Sequence, residues 1–217
     1  MGIIDKFFKV KKSDYSDNTN PSFEKVQGHY FDAILGERTL YERVAALCSM
    51  DISERGISLS DLNGKYTYSI DGTVFAQDGG GGYYALLCDG SVGYINFSEN
   101  ECGRVSDSVK DLLELELNCA YSWHNYLDMK YFKNLSLLKE DVLSLEVEGQ
   151  EQFGDAYGNE MPGYAELQKE IAGRLDLNIS TDIATDILPK LYQSVQKQPE
   201  FVTASKKGNI SLGKLYK

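Results

Sequence analysis

The stretch Gly82-Tyr83-Tyr84-Ala85-Leu86-Leu87-Cys88-Asp89-Gly90-Ser91-Val92-Gly93-Tyr94-Ile95-Asn96-Phe97 decides the fold of this chain. Two runs rich in aromatic and apolar residues flank the dipeptide Asp89-Gly90. Runs of this length, bounded by glycine, read as strands. An Asp-Gly pair tolerates positive φ at both central positions of a tight turn. The spacing predicts a β-hairpin over 82–97.

Working outward from the hairpin, Gly56, Gly64, Gly72 and the Gly79–Gly82 run punctuate short β-prone pieces upstream, among them Tyr66-Thr67-Tyr68 and Thr73-Val74-Phe75-Ala76. Before these, Leu40, Val44 and Leu47 recur on one helical face and predict a helix over 37–50. Downstream, helices dominate. Ser106 is the expected N-cap of a helix carrying Val109, Leu112 and Leu113, with Asp107 and Asp111 near its positive end. Asn134 caps a helix over 135–148 that carries Leu138, Val142 and Leu145. Four glycines and a proline make 149–163 a loop. Two more helices follow, over 164–175 and 181–197, the second kinked at Pro189. The tail from Lys206 to Lys217, with four lysines and no acid, is expected to fray. At the other end, Ile3, Ile4, Phe7 and Phe8 against Lys6, Lys9, Lys11 and Lys12 write an amphipathic helix over 1–12. Docking on the core is favoured over a foot on a membrane surface, because one short helix is a weak anchor. Residues 13–22 are a polar loop whose acids do not follow the EF-hand spacing.

The chain has 217 residues, of which 42% are hydrophobic and 25% charged. That is the composition of a folded protein, long enough to bury a core without metal or disulfide staples. Its net charge of −11 argues against nucleic acid or an anionic membrane as the main partner. No apolar run approaches the ~20 residues of a membrane span. Asp5 and Lys6 interrupt the first apolar stretch, so it is no signal peptide, and a cytoplasmic location is expected. Cys48, Cys88, Cys102 and Cys119 stand far apart, with no C-x-x-C pair, and read as reduced thiols packed as small hydrophobes.

The acidity is concentrated. Residues 99–170 hold sixteen acids against six bases, nearly the whole net charge. Such a field speeds encounter with a basic partner, although a charge run alone also keeps a surface solvated. Fifteen tyrosines and nine phenylalanines tilt the balance toward binding, because tyrosine is enriched at interface hot spots.

Catalytic chemistry is hard to find. His29 and His124 are the only histidines, and neither has a partner at helical spacing for a metal. No Lys-Ser or Lys-Thr follows the four-glycine run, and the element after it is a strand, so it reads as a flexible loop and not as a phosphate cradle. No G-x-S-x-G elbow is present. Glu114 and Glu116 lie two apart and do not face each other on a helix. A carboxylate-only hydrolase remains a minor alternative. No cofactor, metal or catalytic residue is assigned.

The run Phe75-Ala76-Gln77-Asp78-Gly79-Gly80-Gly81-Gly82, continuing through the hairpin to Val92-Gly93-Tyr94, resembles the centre of the SUKH superfamily. Gly103 to Leu113 is similar to the short strand and the helix that follow it there. The resemblance covers roughly residues 60–127. The Trp-Gly and Leu-Pro pairs of the usual N-terminal stretch are missing, and 130–217 has no counterpart. The resemblance implies an α+β fold, with a central, largely antiparallel sheet flanked by helices. Residues 1–129 are then the α+β domain, and 130–217 a C-terminal helical extension packed on or beside it.

Bacterial members of that superfamily are mostly immunity proteins that bind polymorphic toxins, often nucleases; others are intracellular adaptors. The expectation is therefore a cytoplasmic immunity protein that blocks a basic protein toxin by steric and electrostatic means. Glu99, Glu101, Asp107, Asp111, Glu114 and Glu116 would mimic the phosphate path, with Tyr83 and Tyr94 as aromatic anchors. An adaptor without a toxin partner is the alternative.

Overall fold

The computed structural model describes residues 30–206 and 211–215. The expectations for 1–12, for 13–22 and for His29 lie outside the described residues.

The hairpin forms as β4 (Tyr83–Leu87) and β5 (Val92–Asn96), with Tyr84 opposite Tyr94 and Leu86 opposite Val92. Its turn differs from the expectation. Gly90 alone takes the positive φ, 86°. The Gly90 N–H donates to the Leu87 carbonyl, and the Leu87 N–H donates to the Ser91 carbonyl, both at 2.9 Å. This is the three-residue loop in which glycine takes the left-handed position. Asp89 contributes its side chain instead. It accepts from the Ser91 amide at 3.1 Å and from the Ser91 hydroxyl and Arg104 Nη2, both at 2.5 Å.

Around the hairpin stand β1 (Met50–Ser58), β3 (Gly72–Asp78), β6 (Glu101–Ser106) and β8 (Gly213–Lys214), in the order β1-β3-β4-β5-β6-β8. Every pairing is antiparallel except β6 with β8. With helices packed against it, the sheet makes an α+β fold, mixed only at its β8 edge. A ribbon of β2 (Tyr66–Tyr68) and β7 (Thr203–Ser205) stands apart.

Period-two alternation gives the sheet two apolar faces. Phe75, Tyr84, Leu86, Val92, Tyr94 and Val105 meet the helices α1 (Arg38–Cys48), α3 (Val109–Asn118), α5 (Leu135–Tyr157), α6 (Tyr164–Leu175) and α8 (Leu188–Gln196). On the other face, Val74, Ala85, Leu87, Ile95 and Cys102 meet Leu59 of α2 (Leu59–Leu62), Phe201 and Leu212. Leu138, Val142, Leu167 and Leu191 share the first core with Phe75 and Tyr84. Helices from both sides of residue 129 thus share this core.

Several local expectations are corrected. Helix α1 stops at Cys48, because Ser49 turns left-handed at φ 48° and β1 begins at Met50. Ser106 ends β6, and Ser108 caps α3, accepting from the Asp111 amide at 3.1 Å. Asn134 does cap α5, after the short α4 (Met129–Lys133), but α5 runs on to Tyr157 and shrinks the loop to 158–163. Gly149 allows this, since a Cβ there would strike the backbone of Ala120 and Tyr121. Pro189 starts a helix rather than kinking one. The segment divides into α7 (Ile183–Asp186) and α8, with Pro189 in the first turn of α8, where its missing N–H is no loss. The tail is not frayed where it is described: β8 pairs with β6, and Leu212 and Leu215 are buried. The glycine run is a pinned turn, with Asp78 Oδ1 accepting from the amides of Gly80 and Gly82 at 2.8 and 2.7 Å. All four cysteines are free, and Cys88 alone is exposed.

Candidate protein-docking face

The acids singled out in the sequence do not form one open surface. Glu99 is exposed in the turn after β5, and Glu101 is half-buried beside β8. Asp107, Asp111 and Glu114 gather at the start of α3, where lysines of the C-terminal helices meet them. Lys197 reaches Asp107 at 2.6 Å, and Lys190 reaches Asp111 at 3.3 Å and Glu114 at 3.4 Å. Partial burial opposes the charge on Lys190, but the two carboxylates outweigh it and raise its pKa. Glu114 is 2% exposed and also accepts from Asn178 Nδ2 at 2.6 Å, so it holds the loop after α6. All three are paired by lysines of the chain itself, Glu114 buried, Asp111 half-buried and Asp107 at the surface.

Glu116 and Tyr94 are corrected outright as surface residues, since both lie inside. Glu116 accepts from the Tyr84 hydroxyl at 2.5 Å and from Trp123 Nε1 at 2.8 Å. Burial pushes its pKa up to about 7, against the pull of those two donors. Tyr94 donates to Asp78 Oδ2 at 2.6 Å, and this ties the glycine turn to β5. His124 stacks on Trp123 with ring centroids 3.6 Å apart, and burial lowers its pKa to about 4. It is a packed aromatic, neutral at neutral pH. Tyr83 is half-buried against Phe97. A recess of about 10 Å³ between α3 and α8, beside Asp111, Glu114 and Lys190, holds one water at most. Among the described residues, no group of three His, Cys, Asp or Glu side chains is placed to hold a metal.

The surface that stands out is the outer side of α5. Leu138, Val142 and Gly149 face the core, so residues a half-turn away face solvent. Leu143 is 74% exposed and Val147 57%, one turn apart. Glu140 lies three residues before Leu143 and Glu151 four after Val147, so the four make one stripe. Glu148 and Asp155 flank it, both exposed. Among the described residues, neither Glu140 nor Glu151 has an ion-pair partner. The helix carries six acids and one lysine, Lys139. An exposed aliphatic pair bordered by acids is suited to a contact with apolar and basic groups. The sequence placed this helix and its charge. The signal it left unread was Leu143 and Val147, which repeat at i, i+4 off the Leu138–Val142–Leu145 face.

The chain matches no family model, no curated protein and no solved structure at a significant level.

Proposed function

We propose that this chain is a bacterial immunity protein that binds a basic protein toxin, of which a nuclease is the leading class, and neutralises it by covering its active surface. The observation that carries the reading is the stripe Glu140-Leu143-Val147-Glu151, exposed on α5, whose two acids have no ion-pair partner among the described residues. Its acids would meet the cationic groups with which a nuclease holds phosphate, and its aliphatic pair would supply the desolvated centre of the contact. The hairpin, the pinned glycine turn and the largely antiparallel sheet support the SUKH-like resemblance on which the immunity role rests.

The test is co-expression with the product of the neighbouring gene, followed by titration calorimetry at about 50 and 300 mM salt. Binding should weaken about tenfold or more over that range, and should weaken about tenfold in Glu140→Lys/Glu151→Lys at low salt. Complex formation indifferent to salt and to that double variant overturns the reading. A captured partner whose activity is unchanged in the complex replaces neutralisation with the adaptor role.

A further inference from the structure

We propose that segment 119–126 is a proton-controlled clasp for the second half of α5, closed while Glu116 carries a proton and released when that proton is lost. The inference goes beyond the binding role proposed above and does not depend on it.

Two carboxyls from different helices grip this segment. Glu116 of α3 accepts from Trp123 Nε1 at 2.8 Å and from the Tyr84 hydroxyl of β4 at 2.5 Å. Glu146 of α5 accepts from the Ala120 amide at 2.8 Å and from the Tyr126 hydroxyl at 2.6 Å. One turn further on, Gly149 lets the backbone of α5 seat against that of Ala120 and Tyr121. Leu138 and Val142 anchor the first half of α5 in the core. The half beyond them rests on segment 119–126 and on the ring contact of Phe153 with Tyr164. Whatever loosens the segment therefore loosens this half of the helix.

The grip depends on a proton because no positive charge backs it. Among the described residues, neither Glu116 nor Glu146 has a salt bridge. The titratable groups facing Glu116 are Asp78 of β3, Tyr84 of β4, Cys48 of α1, Tyr164 of α6 and Cys119 after α3. Cys119 and Tyr164 face Glu146 as well, together with Tyr126. All of these are neutral or acidic. His124, beside Trp123, is neutral too, since burial lowers its pKa to about 4. A neutral carboxyl suits such a site. An ionised one keeps its hydrogen-bond donors but gives up water without meeting a cation, and that cost disappears when the segment opens. Burial accordingly raises the pKa of Glu116 from 4.5 to about 7 and raises that of Glu146. If Glu116 titrates normally in the open form, opening gains about tenfold per pH unit between roughly pH 5 and pH 7, and levels off above.

The experiment follows amide hydrogen exchange of the full-length chain at about pH 5, 6, 7 and 8, each rate divided by the intrinsic rate of that amide. Opening over 120–126 and 146–154 should rise together, about tenfold per unit up to pH 7, and then flatten. At pH 7 it should exceed opening of the hairpin strands 83–87 and 92–96 by about tenfold or more, as local release requires. Glu116→Gln keeps an acceptor for Trp123 but cannot ionise, and should remove most of the pH dependence from both stretches. Opening of the two stretches that ignores pH in the wild-type chain overturns the proposal, whether or not the variant folds. So does opening no faster than that of the hairpin, which would mean unfolding of the whole molecule. Release of 120–126 with 146–154 unmoved breaks the link to α5, and a pH dependence unchanged in Glu116→Gln removes Glu116 as its source; either result overturns the proposal too.

Discussion

Glu116 shows how one residue can be misjudged by its letter. In sequence it is one acid in an acidic stretch; in the fold it is a carboxyl enclosed by Tyr84 and Trp123. Burial lifts its pKa from 4.5 to about 7 in the folded state, while the unfolded chain titrates near 4.5. Below about pH 4.5 the group is protonated in both states and opposes nothing. Between that pH and 7 the unfolded state loses its proton first, so stability falls as pH rises, and above 7 the loss is complete. A shift of this size corresponds to roughly 3 kcal/mol. Glu116→Gln should flatten that part of the curve. Chemical denaturation of both proteins at pH 5 and pH 8 checks this: the gap between them should move in favour of the variant on going to pH 8. A constant gap would mean that the carboxyl keeps its ordinary pKa.

At the scale of elements, α5 separates two kinds of glycine. Gly149 packs where a Cβ would strike the backbone of Ala120 and Tyr121, and Gly154 has open space around it. Gly149→Ala should cost about 1–3 kcal/mol through overpacking. Gly154→Ala should gain up to about 1 kcal/mol by restricting the unfolded chain and favouring helix. Thermal denaturation of the two variants should thus shift in opposite directions. The same pair explains why 149–163 read as a loop. Local composition speaks for a break, whereas Phe153 and Tyr157, packed with ring centroids 4.9 Å apart, sit within a helix that tertiary contact with 120–121 sustains. The 82–97 hairpin was legible for the opposite reason: its signals are all local, and only the geometry at Asp89 escaped them. The lysine-paired acids were illegible because their partners are remote, Lys190 standing 79 and 76 residues from Asp111 and Glu114, and Lys197 standing 90 from Asp107. Charge density is written in the sequence, but its compensation is written in the topology.

For the whole molecule, the decisive feature is that the last described segment closes the sheet. Phe201 covers the face opposite the helices and fills the space that Gly93 leaves by lacking a side chain. The carbonyl of Pro199 accepts from Arg104 Nη1 at 2.9 Å, and the same guanidinium holds Ser91 and Asp89 at the hairpin turn. Leu215 packs over Gly103 of β6. The C-terminal segment thus ties into the hairpin, and helices from both sides of residue 129 share one core. Unfolding should accordingly be a single transition. Phe201→Ala, on one face of the sheet, and Leu138→Ala, on the other, should each lower the midpoint of that one transition, with losses of stability of about 3–5 and 2–5 kcal/mol. Fluorescence of Trp123 and far-ultraviolet circular dichroism should report coincident curves in both variants. Were the chain instead two units joined near 129, Leu138→Ala would melt the C-terminal helices first and leave the hairpin standing. The dichroism curve would then split from the fluorescence curve, and only the variant on the affected side would move each phase.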